Sequence, residues 1–334
     1  MKGKHQGVQK RLLEVNPSAL YMPCACHSLN LALCDMAHSC TRAVSFFGIV
    51  QRIYALFSGS SKRWKILRDN VPDFTLKFLS NTRWESRIKS VKAIRFQAPE
   101  LRLALSLLYE SRDSDAKSKS EAESLYNALG GFDFLLGMII WYEILFVINK
   151  VSKKLQSKSM CIDTTMVHVE SIMSYFEKFR LDGFLSCMNI VKTIALDIDV
   201  EPTLPTRHRI IRKRYFDETN EEDEQNQSHE EVFRLEYFLV VVDMAIASLK
   251  SRFVQLKTFE NIFGFLFDSE KFKSLDEKES RECCLTFHST YTSDVYKNDF
   301  YSELKVLQST LPNTLLSATD ILEFVKSADC YPNA

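Results

Sequence analysis

Chain-breaking residues are scarce in this sequence: nine glycines and eight prolines serve 334 residues. A strand-rich sandwich or barrel needs turn residues at short, regular intervals, so that class is excluded. Net charge is also missing, because 43 Lys and Arg balance 43 Asp and Glu. No general positive field exists, and any nucleic-acid contact must come from local patches. Long clean apolar runs are absent too. The longest, Phe132 to Ile148, carries Asp133 and Glu143 and falls short of the roughly 20 residues a membrane span needs. It reads as a buried helix. The opening MKGKHQGVQKRLLEV is charged and lacks the apolar core of a secretory signal. P-loop, dinucleotide, HExxH and GxSxG signatures are missing, which removes the commonest enzyme classes. Nine cysteines are scattered, apart from Cys24/Cys26 and Cys283/Cys284, a pattern of reduced intracellular thiols without disulfides.

What is present is helical periodicity on a 46% apolar chain, enough for one large or two ordinary domains. An opening basic helix ends near Asn16-Pro17, Ala19 to Met22 reads as a short strand, and His27 to about Ser39 as a helix. Helices then follow at 41–58, 60–69, 82–97, 99–112, 118–129, 132–157, 162–181 and 184–196. Ile162, Met166, Val169, Met173 and Phe176 mark the buried stripe of one of them. Residues 197–231 break the pattern. Pro202 and Pro205 precede a basic cluster (Arg207, Arg209, Arg212, Lys213 and Arg214) and then an acidic run. The span 217–230 has little to bury and is expected to be the most mobile internal segment. Helix resumes over 231–259, 260–267, 276–285, 297–309 and 317–328. The predicted fold class is mainly α, divided as 1–40, a helical domain 41–200, a charged linker loop 201–231 and a continuing helical region 232–334.

Two stretches could carry chemistry. In YMPCACHSLNLAL, Cys24, Cys26 and His27 could join Cys34, His38 or Cys40 around zinc, but no second well-spaced pair closes a tetrahedral site. Packed free thiols are the alternative. In LSNTRWESR, a helix starting after an Asn/Thr cap puts Arg83 and Trp84 in its first turn. There a guanidinium can hold phosphate and an indole can stack on an unpaired base. The competing reading is a core tryptophan beside a surface arginine. Lys62, Arg63 and Trp64 form a second basic-aromatic group, and the loop 207–214 a third.

Taken in order, CACHSLNLAL and then TRWESR resemble the CxxH and TRW elements of hAT-superfamily transposases, in particular the transposase-derived regions of animal MYM-type zinc-finger proteins. MKGKHQGVQKRL, KKLQSKSMCI, EPTLPTRHRIIRKR and SLKSRFVQL extend the resemblance over nearly the whole chain. It implies a partial RNase H-like α/β remnant over 1–40, followed by a large all-helical insertion. Cys24 and His27 would match the family's CxxH turn, and Arg83 and Trp84 the RW pair that holds a flipped base. The family's two-metal Asp, Asp and Glu are expected to lie outside this chain, as is its dimerisation segment, so no catalytic residue, metal or cofactor is assigned. Asp35 and Glu85 are expected to be a helix-surface charge and a first-turn dipole partner. The implied function is a catalytically inactive, nuclear, transposase-derived protein that retains weak DNA affinity. Two alternatives stand beside it: a helical protein-interaction scaffold, and a fragment of an active transposase. DNA or protein is the expected partner, not a membrane.

Overall fold

The computed structural model describes residues 7–80, 84–112, 114–157, 160–205 and 228–333. In chain order the helices begin with α1 Val8–Val15, α2 Ala25–Ala37, α3 Thr41–Ser58, α4 Ser61–Asn70 and α5 Glu85–Phe96. Next come α6 Ala98–Glu110, α7 Ala116–Leu129, α8 Phe132–Lys154 and α9 Ile162–Asp197. After the charged linker stand α10 His229–Phe233, a π turn Arg234–Leu239, α11 Val240–Arg252 and α12 Val254–Phe263. A 3-10 turn Gly264–Leu266 precedes α13 Ser269–Ser274, α14 Glu277–Thr290, α15 Lys297–Thr310 and α16 Ala318–Ala328. The mainly α class is what these residues adopt, and no strand forms among them.

The chain makes two compact units. The larger takes Ala25–Lys158 and His168–Ser251; the smaller takes Met1–Cys24, Ser159–Val167 and Arg252–Ala334. At the centre of the larger unit is α8, whose residues Phe134 to Trp141 are all buried, as a core helix requires. It packs against α2, α3, α5 and α7. By length and composition Phe132–Leu155 could cross a membrane, but 61% of its apolar window is buried in the protein. Helix starts follow local chemistry: Pro99 stands in the first turn of α6, and the Asp115 carboxylate accepts from the Ser118 N–H at the head of α7. At the other end of α9, Asp199 turns into the left-handed region (φ 54°), and the Val200 N–H reaches back to the Ala195 carbonyl at 2.8 Å. The Arg102 guanidinium satisfies the Ile198 carbonyl there at 3.0 Å.

The smaller unit has a core of its own in Phe265, Phe272, Cys284, Phe300, Leu304, Leu307, Leu311 and Tyr331. Reciprocal capping boxes start α14 (Asp276 with Glu279) and α16 (Ser317 with Asp320).

Several expectations need correction. The short strand at Ala19 to Met22 does not form. That segment has no partner strand among the described residues, and a ladder needs two. The only β pairing among the described residues is an isolated bridge between Asp268 and Ser317. The βα junction expected of an RNase H-like remnant is therefore not seen. The helices placed at 162–181 and 184–196 are one helix, α9, because Gly183 weakens a helix without ending it. The single helix placed at 231–259 is broken by the π turn and again at Phe253. The span 206–227, with its basic cluster and most of the stretch expected to be mobile, lies outside the described residues.

Candidate functional site

The approach to Trp84 is an extended segment, residues 71–80, that belongs to no sheet. Its backbone groups must still be satisfied, and side chains of neighbouring helices do this. Ser90 Oγ takes the Lys77 N–H at 3.0 Å and donates back to the Lys77 carbonyl at 2.9 Å. Gln51 Oε1 accepts from the Leu79 N–H at 2.9 Å, and Gln97 accepts from the Asp73 N–H while donating to the Phe74 carbonyl. Ser86 Oγ accepts from the Ser80 N–H. The segment is thus held against α3 and α5, and it delivers Trp84 to the head of α5.

Trp84 is 4% exposed and meets Phe47 edge-on, with ring centroids 5.8 Å apart. One helical turn later, Arg87 folds back with its guanidinium 4.0 Å from the indole centroid. This is core packing, the second of the two readings weighed for this residue. Yet the indole Nε1 is buried without a hydrogen-bond partner, which is costly for a ring N–H. Trp84 also lines a pocket of about 560 Å3, whose polar wall is Asn30, Glu85, Asn149, Ser152 and Lys153. Roughly 300–1,000 Å3 is the usual size of a ligand cleft. Glu85 is exposed and pairs with Lys89 at 2.9 Å along α5, as a first-turn acid should.

The other expected residues do not converge on this pocket. Arg83 and the basic cluster Arg207, Arg209, Arg212, Lys213 and Arg214 lie outside the described residues. Lys62 is exposed on α4, but Arg63 turns inward to Ser118 Oγ and Trp64 packs edge-on against Tyr54. The three make no common face. Cys24 and His27 are exposed, and the boundary between the two units falls between Cys24 and Ala25. The Cys26 thiol donates to the Ser152 carbonyl at 3.6 Å, and His38 Nδ1 stands 2.7 Å from the Cys34 carbonyl oxygen. No group of three or more His, Cys, Asp or Glu side chains able to hold a metal occurs among the described residues. Asp35 is more than a surface charge, since it is half-buried and accepts from Ser248 Oγ at 2.5 Å.

Sequence reasoning missed Arg87, Asn149 and Lys153. Arg87 was within reach, because a residue three positions after Trp84 on a helix lies beside it. The α8 pair was not, since only the tertiary fold brings the end of α8 to the head of α5. Comparisons with protein-family models, curated proteins and solved structures find no match to this chain.

Proposed function

We propose that the chain is a helical nucleic-acid-binding module of hAT-transposase ancestry, nuclear and with no catalytic step of its own. One observation carries this: Trp84, whose buried Nε1 has no partner, lines a polar pocket, and it is the residue where the family resemblance implies a flipped base is held. The edge of an unpaired base offers the acceptor that the indole N–H lacks, and Asn30, Asn149 and Lys153 supply further polar groups around it. On this reading the residues before α3 descend from the RNase H-like part and the helices from α3 onward from the insertion. The absence of a catalytic role rests on the resemblance, in whose pattern neither Asp35 nor Glu85 takes a metal-binding position.

The test is anisotropy with a fluorescent hairpin carrying a single-stranded flank, over a salt series. Affinity should fall as salt rises. Lys153→Ala, an exposed change, should flatten the log-log slope by about 0.7 to 0.9, the value of one phosphate contact. Asn149→Leu should weaken binding at every salt concentration. Absence of binding at low salt, or wild-type affinity in both variants, sinks the proposal. Trp84→Ala is a poor probe, since its burial makes it cost about 3–5 kcal/mol of stability.

A protein-interaction scaffold is the second reading, and a separate observation favours it. The smaller unit carries an open apolar groove of about 460 Å3, lined by Phe259, Phe263, Phe267, Leu307 and Leu322, with Asp163 its one charged wall residue. Its occupant would be a partner helix presenting apolar residues beside a lysine or arginine. Loss of partner capture in Asp163→Lys, with DNA affinity unchanged, would favour it.

A further inference from the structure

Among the described residues of the larger unit, Arg87 is the one charged side chain that is buried, at 7% exposure. Its guanidinium lies against two rings, 4.0 Å from the Trp84 centroid and 4.6 Å from that of Phe47. It forms no ion pair with a carboxylate among the described residues, and its Nε is buried without a partner. Burial holds its pKa below the usual arginine value, with only the Cys34 thiol acting in the other direction. Ring faces offset part of the cost of burying a cation, but a charge without a counter-charge remains unbalanced.

The same side chain lines a cavity of about 340 Å3 together with His38, Val44, Phe47, Gln51 and Phe78. No acidic side chain is on that wall, and none of its residues lines the Trp84 pocket. Gln51 spends its amide oxygen on the Leu79 N–H, so what it has left is its NH2 donor. Phe78 is 61% exposed, with its ring edge-on to Tyr54 at 6.0 Å, and it shares the cavity wall with Arg87.

We propose that Arg87 is the floor of a second nucleotide subsite: its guanidinium takes the phosphate and Phe78 stacks on the base. Guanidinium forks match phosphate oxygens two at a time, and an exposed aromatic ring serves any base. The subsite rests on the nucleic-acid reading above, but the measurements separate the two.

Thermal shift of the full chain at constant ionic strength tests it, with inorganic phosphate and thymidine 5′-monophosphate as probes. Phosphate should raise the wild-type melting temperature, and the nucleotide should do so at an about tenfold lower concentration because stacking adds to it. Arg87→Met keeps a flexible apolar side chain against the two rings without the charge. Its melting temperature without ligand should equal or exceed that of the wild type, and both probes should lose their effect. Phe78→Ala should keep the phosphate response and lose the nucleotide's advantage. An unchanged phosphate response in Arg87→Met, or no response in the wild type, overturns the subsite. A nucleotide no better than phosphate overturns the role of Phe78. If these shifts appear while Asn149→Leu and Lys153→Ala bind the hairpin as the wild type does, the Trp84 reading fails and the anion site stands. The opposite pattern removes the subsite alone.

Discussion

Trp141 and Tyr237 show how one polar contact is afforded inside an apolar helix. Trp141 is fully buried and Tyr237 2% exposed, and the indole Nε1–H donates to the Tyr237 hydroxyl at 2.9 Å. Gly137, one turn earlier on α8, leaves room for that phenol: a Cβ there would stand 3.3 Å from the hydroxyl oxygen. Removing the hydroxyl strands a buried indole N–H, so Tyr237→Phe should lower unfolding free energy by about 1–3 kcal/mol in a urea titration. The pH dependence has a definite sign. Burial raises the Tyr237 pKa above its ordinary value of 10.0, so in alkali the unfolded chain releases this proton and the folded chain keeps it. Stability from this group is complete below pH 10 and declines above it. Tyr237→Phe should remove that part of the alkaline loss, leaving the part due to Tyr175, which burial raises in the same direction. Equal alkaline slopes in wild type and variant would count against this.

At the scale of elements, the seam between α5 and the extended segment 71–80 depends on Ser90, which is fully buried and makes both hydrogen bonds to Lys77. Ser90→Ala should therefore cost about 1–3 kcal/mol, and amide exchange at Lys77 should quicken while α8 stays protected. Uniform protection across both would mean the seam is held by apolar packing alone. This segment also marks the limit of what the sequence discloses. Apolar spacing identifies α3, α5, α6 and α7 because each carries its own buried stripe in local order, and α8 is identified by its near-continuous apolar run. The course of 71–80 is set by Gln51, Ser86, Ser90 and Gln97 on other elements, and polar side chains of that kind read as surface residues in sequence. The π turn over Arg234–Leu239 was hidden for a similar reason, since the helical period there is interrupted without any glycine or proline. Of the candidate site, Trp84 was visible as a residue type, whereas Asn149 and Lys153 became visible only once α8 was seen to end beside it.

For the whole molecule, the decisive fact is that the two units have separate cores and that both the Trp84 pocket and the Arg87 cavity lie in the larger one. With 43 basic and 43 acidic side chains, no molecule-wide field draws a polyanion in, so the proposed binding would depend on local groups. Stability and binding should then be separable by unit. Phe300 is 1% exposed in the core of the smaller unit, and Phe300→Ala should remove about 3–5 kcal/mol there. Native-state hydrogen exchange should report this as lost protection across α14 and α15, while amides of α8 keep wild-type rates, because exchange follows the cooperative unit an amide belongs to. Hairpin affinity and the phosphate shift should not change in the same variant. If α8 loses protection to the same extent, the two units unfold as one. If binding falls with α8 still protected, a residue of the smaller unit contributes to recognition, and the site is wider than the two cavities.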